Sequence, residues 1–191
     1  MKVFVLGGTG AIGRPAIDSL VAAGHEVRAL ARTRERAVQL TESGARPVEV
    51  SMFDLADLTR ALDGHDAVVN LASAMPSTLQ FARLGAWRDT QRIRTEGSAN
   101  VVDAALAADV GILVQESVAM LYADQGAAWI DESAAVDHYP MARGNHAAEA
   151  SAERFTAAGR TGIILRLGFS TGPGHATPSS SSLWPASESC P

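Results

Sequence analysis

The sequence predicts an α/β fold, a doubly wound parallel sheet of about six strands with helices on both faces. Strand-length apolar runs alternate with stretches of helical spacing, and a glycine-rich turn joins the first run to the first helix. The composition, 47% apolar but only 5% aromatic over 191 residues, suits alanine- and valine-rich packing. A chain of this length supports one domain with a sizeable core.

Lys2-Val3-Phe4-Val5-Leu6 reads as the first strand, because an almost continuous apolar run suits a strand buried on both faces. The helix after it is expected from about Ala11 to Ala23, with Ile12, Ala16, Leu20 and Ala23 at helical spacing and Gly24 as its stop. Glu26 to Ala31 forms a second strand. Thr33 caps a second helix reaching about Glu42, and Arg46 to Val50 is a third strand. Asp54 opens a short helix through Leu62, which closes at Gly64, and Asp66 to Leu71 is the fourth strand. Trp87 to Ala108 reads as one long helix, with Ile93, Gly97, Val101, Ala104 and Ala108 along one side. Val110 to Val114 is the fifth strand, followed by a loop from Gln115 to about His138. A helix over roughly Met141 to Ala158 and a sixth strand from Gly162 to Leu167 complete the alternation.

These elements place one domain at residues 1–174. Residues 175–191 are Ser/Pro-rich with neither period, and are expected to be disordered because they bury too little surface to offset chain entropy. The net charge of −5 argues against a nucleic-acid surface, which needs clustered Lys and Arg; only Arg32, Arg34 and Arg36 cluster. With neither a charged leader nor an 18-residue apolar span, no membrane is expected. A single cysteine, Cys190, fits a reducing, cytoplasmic setting. His138 and His146 lack metal-ligand spacing and no cysteine lies close, so no metal is expected.

The turn Gly7-Gly8-Thr9-Gly10-Ala11-Ile12-Gly13 carries the chemistry. Glycines at 7, 10 and 13 permit a sharp turn and leave no side chain between the backbone and a pyrophosphate. The last of them lets the helix pack close to the sheet. The helix N-terminus then offers N–H groups and a positive dipole end to the phosphates.

With this turn, the chain resembles the extended short-chain dehydrogenase/reductase family, the NAD-dependent epimerase/dehydratase group with its atypical members. Gly7-x-x-Gly10-x-x-Gly13 has the family's glycine spacing. Val69-Asn70-Leu71-Ala72-Ser73 resembles its fourth-strand segment beside the cofactor, so Leu71, Ala72 and Ser73 are expected to line the site. Gly97 to Ala105 looks like the helix that follows, and Leu165-Arg166-Leu167-Gly168 with Gly172-Pro173-Gly174 resembles its sixth-strand segment. The resemblance implies a Rossmann fold, a dinucleotide, a small-molecule substrate and, as one option, a homodimer.

A Rossmann domain that selects NAD usually carries Asp or Glu at the end of its second strand, to hold the ribose 2′-OH. Here Ala31-Arg32 stands there. Arg32 is suited to a 2′-phosphate, so NADP is preferred over NAD; Arg34 and Arg36 read as solvated helix residues. Asp54-Leu55 falls where the family contacts adenine, and Asp54 equally fits a helix cap.

By resemblance, hydride chemistry calls for a Tyr, a Lys four residues later and a fifth-strand Ser or Thr. Ser117 sits near the last of these positions, and reads equally as a loop serine. The family register puts Met141 and Asn145 at the Tyr and Lys places. Tyr139-Pro140-Met141-Ala142-Arg143 imitates the spacing two residues early, with Arg for Lys. Ser117, Tyr139 and Arg143 are therefore the catalytic candidates. The expected function is an NAD(P)-dependent oxidoreductase or epimerase-like protein passing hydride to or from a small carbonyl, alcohol or sugar-type substrate. The alternatives are a non-catalytic NADP(H) sensor and an inactive fragment, since the family continues into a substrate region where this chain has its Ser/Pro-rich tail.

Overall fold

The computed structural model describes residues 1–75 and 83–168. The expected tail at 175–191, the Gly172-Pro173-Gly174 segment and the boundary at 174 lie outside them. Six parallel strands form one sheet in the order β3-β2-β1-β4-β5-β6. They are β1 (Lys2–Leu6), β2 (Glu26–Leu30), β3 (Arg46–Val48), β4 (Ala67–Asn70), β5 (Ile112–Val118) and β6 (Thr161–Leu167). The connecting helices are α1 (Gly13–Ala22), α2 (Arg34–Glu42), α3 (Leu55–Leu62), α4 (Arg88–Arg92), α5 (Ser98–Ala107) and α6 (Arg143–Ala157).

Alternation along β1 divides the core. Phe4 and Leu6 join Leu58, Leu62, Val101, Val102, Leu113 and Phe155 on the face covered by α3, α5 and α6. Val3 and Val5 join Ile17, Val27, Ala29 and Leu40 on the face covered by α1 and α2. Sequence order runs outward from β1 in both directions, so a crevice opens between β1 and β4 at the carboxyl ends of the strands. At β6 no helix among the described residues covers the second face. Ile164 packs into the first core, while Ile163 and Leu165, pointing the other way, are 42% and 38% exposed.

Two expectations are corrected. The long helix is not regular: Arg88–Arg92 and Ser98–Ala107 flank a π-turn at Ile93–Gly97. A π-turn holds more residues per turn, so Arg94 is buried beside Ile93 and Gly97. The fifth strand starts later and runs to Val118, because β6 supplies parallel partners from Ile112↔Thr161 through Val118↔Leu167. Gln115, Glu116 and Ser117, expected in a loop, are therefore buried strand residues.

Candidate functional site

The crevice holds a cleft of about 890 Å³. Gly7, Thr9, Gly10, Ala11, Ile12 and Gly13 form its floor, with Arg32 on one side and Leu71, Ala72 and Ser73 on the other. The glycines are sterically required. Gly7 has φ +78°, and a Cβ there would lie 2.4 Å from the Leu71 carbonyl oxygen; a Cβ on Gly13 would lie 2.1 Å from the Gly7 oxygen. α1 therefore starts directly against the turn, with no side chain capping it. That leaves its first turn and positive dipole end facing the cleft.

At the β2–β3 end, Arg32, Arg34 and Arg36 are exposed and line the cleft, together with Ser51, Met52 and Phe53. Arg36 is not simply solvated: its Nη1 donates to Thr9 Oγ1 at 2.9 Å, tying α2 to the glycine turn. Asp54 and Leu55 do not line the cleft. The Asp54 carboxylate accepts from the Asp57 N–H at 3.0 Å and caps α3, the second of the two roles expected of it.

At the β4–β5 end the polar groups are buried. Arg94, carried inward by the π-turn, donates from Nη2 to both Glu116 oxygens at 2.9 and 2.8 Å, and Glu116 lines the cleft. The two side chains are 4% and 7% exposed. Gln91 and Asn145 lie beside them at Gly144, where a Cβ would meet Gln91 Oε1 at 2.8 Å and Arg94 Cβ at 3.1 Å. Gln91 Oε1, Arg94 Nη1, Asn145 Oδ1 and Ser73 Oγ are buried without hydrogen-bond partners among the described residues. Under the floor, Asn70 donates to Gln115 Oε1 at 2.9 Å and to Ser98 Oγ at 3.3 Å, locking β4, β5 and α5 together.

The catalytic candidates do not meet at the cleft. Ser117 is fully buried and donates to Glu149 Oε1 at 2.6 Å; Arg166 grips the same carboxylate with two bonds at 2.9 and 2.8 Å. Burial opposes ionisation of Glu149, but the bonds from Arg166 and Ser117 outweigh it and lower its pKa. Tyr139 donates to the Met120 carbonyl at 3.1 Å. Its burial and nearby Asp137 push its pKa up, the opposite of what a general acid/base tyrosine needs. Arg143 is exposed at the start of α6. Sequence reasoning missed Arg94 and Glu116, whose contact spans 22 residues and depends on the π-turn. Among the described residues, no group of His, Cys, Asp and Glu is placed to hold a metal ion, and no helix is long and apolar enough to cross a membrane.

A family model described as NAD(P)H-binding matches residues 7–175, from the glycine turn past β6. The chain belongs to this NAD(P)H-binding family. A nicotinamide dinucleotide is thus the ligand class of the cleft, and the glycine floor fits it. Among curated proteins, the chain is 36% identical over 190 residues to a 3-diazoavenalumate denitrifying reductase from a Streptomyces species, covering 91% of this chain and 58% of that protein. It is 29% identical over 174 residues to a 4-hydroxy-2-methyl-3-oxo-4-farnesyl-3,4-dihydroquinoline-1-oxide ketoreductase from Stigmatella aurantiaca, covering 88% of this chain and 50% of that protein. The chain thus spans little more than half the length of these relatives. Solved structures share the fold. A UDP-glucose 4-epimerase from Stenotrophomonas maltophila with bound NAD superposes with TM-score 0.73 at 24% identity, covering 87% of this chain and 52% of that one. A dTDP-glucose 4,6-dehydratase from Streptomyces venezuelae with bound NAD gives TM-score 0.72 at 23% identity, covering 87% and 55%. The resemblance to the extended short-chain dehydrogenase/reductases holds at the level of this fold.

Proposed function

We propose that the chain is the NADP(H)-binding domain of a reductase acting on a small carbonyl-type or other hydride-accepting substrate. The observation that carries the cofactor preference is Arg32, exposed at the cleft where an NAD-selective domain would have a carboxylate. The pyrophosphate lies on the turn from Gly7 to Gly13 against the α1 N-terminus. Arg32 takes the 2′-phosphate, with Arg36 able to leave Thr9 and assist. The reductase and ketoreductase relatives favour hydride transfer as the activity. When bound, the nicotinamide supplies the hydride; this chain's residues hold the dinucleotide and shape the cleft above it.

A second reading, a dinucleotide sensor without turnover, is favoured by one observation: Ser117, Tyr139 and Arg143 all lie outside the cleft lining. Fluorescence titration with NADPH and NADH tests the cofactor assignment. NADPH should bind about tenfold or more tightly, and Arg32→Ala should erase that margin. Equal or tighter NADH binding overturns the preference, and no binding of either overturns the reading. NADPH oxidation across a panel of aldehydes, ketones and diazo compounds then separates reductase from sensor.

A further inference from the structure

We propose that a single ordered water molecule is built into the joint between the π-turn and α6, held by Gln91, Arg94 and Asn145. Gln91 lies near the end of α4, Arg94 within the π-turn and Asn145 in the first turn of α6. Gly144 brings these elements close: a Cβ there would lie 2.8 Å from Gln91 Oε1 and 3.1 Å from Arg94 Cβ. Gln91 Nε2 donates to the Met141 carbonyl across the same joint at 2.9 Å. Arg94 and Asn145 are only 3% and 8% exposed. Gln91 Oε1, Arg94 Nη1 and Asn145 Oδ1 are closed off from bulk solvent and have no partner among the described residues.

These three atoms define what fits. Arg94 Nη2 is committed to both Glu116 oxygens, which leaves Nη1 as a donor. Gln91 Nε2 is committed to Met141, which sets the amide's orientation and leaves Oε1 as an acceptor. Asn145 Oδ1 is a second acceptor. Left alone, each atom would carry its full desolvation penalty. A cation would meet the Arg94 guanidinium, and an anion would meet two amide oxygens. A small neutral molecule that both accepts and donates satisfies all three, taking one bond from Arg94 and giving one to each amide. Water does this, and a buried water makes about three such bonds. None of Gln91, Arg94 and Asn145 lines the cleft, so the site stands whichever dinucleotide the cleft holds. Its effect reaches the cleft through Glu116, because the water fixes one nitrogen of Arg94 while the other grips that carboxylate.

Two measurements test the site. High-resolution diffraction from the wild-type chain should show one peak within hydrogen-bond reach of Arg94 Nη1, Gln91 Oε1 and Asn145 Oδ1 together. No peak there overturns the proposal, as does an Asn145 amide turned to bond Gln91 directly. An anomalous signal at the same place after a bromide soak also overturns it, because an anion then fills the site. In solution, oxygen-17 relaxation dispersion counts the waters that stay bound longer than the protein takes to tumble. The double variant Gln91→Leu/Asn145→Leu keeps one of the three partners, too few to hold a buried water. It should therefore lose one long-lived water relative to wild type, with its circular dichroism unchanged. An unchanged count in the folded double variant overturns the site. Should that variant fail to fold, the wild-type diffraction decides alone.

Discussion

The two ends of the cleft use arginine in opposite ways. At the β2–β3 end Arg32, Arg34 and Arg36 are exposed, and Arg36 reaches across to Thr9. At the β4–β5 end Arg94 is buried and paired with Glu116, and behind it Arg166 grips Glu149 beneath Ser117. An exposed guanidinium costs little to hold and stays available to a phosphate. A buried pair is committed: removing one member leaves the other charge stranded, so it sets geometry rather than waiting for a ligand. Substitutions at the two ends should therefore register in different measurements, stability at one and affinity at the other.

The largest effect should come from Arg94→Met. With Glu116 left unpaired, unfolding should become easier by about 3–5 kcal/mol, a fall in Tm on the order of 10 °C by calorimetry. A fall under about 3 °C would erase the contrast between the ends.

Glu149→Gln comes next, at about 2 kcal/mol, and it carries a pH signature. The folded pKa of Glu149 lies below its unfolded value because the bonds from Arg166 and Ser117 outweigh burial. Its contribution is therefore complete above the unfolded pKa and is lost as pH falls through the depressed folded pKa. Urea unfolding of the wild type across acidic pH should show that loss, and Glu149→Gln should flatten it. A parallel decline in both proteins would place the acid sensitivity elsewhere.

Asp54→Ala should cost about 1 kcal/mol through its lost cap while leaving NADPH affinity unchanged. Weakened NADPH binding would restore the adenine contact expected from the sequence. Smallest on stability is Arg32→Ala, with Tm within about 1 °C of wild type despite its loss of NADPH preference.

Local signals were legible. The glycine spacing, the Thr33 and Asp54 caps and the strand–helix alternation each depend on residues within a turn of one another, and the structure has them where expected. Long-range ones were not. Gln115-Glu116-Ser117 reads as a polar loop until β6 pairs with it and Arg94, Arg166 and Glu149 supply its partners. The π-turn hides in a helical pattern because Ile93 and Gly97 keep regular spacing on paper, while the extra residue turns Arg94 inward. Tyr139 imitated a catalytic spacing, but it is extended at ψ 158° before Pro140, and its hydroxyl goes to Met120.

The face of β6 that no described helix covers makes protein concentration a variable of its own. Ile163 and Leu165 stand out on an edge strand with a single neighbour among the described residues, so the strand offers both an apolar stripe and a row of free backbone groups. Two copies meeting there would bury each other's stripe, and their association would follow mass action. Light scattering over a dilution series should show average mass rising with concentration, and Ile163→Lys should hold it flat. Any affinity measured for this domain is then best read in the dilute limit, where a ligand competes with solvent rather than with a second copy.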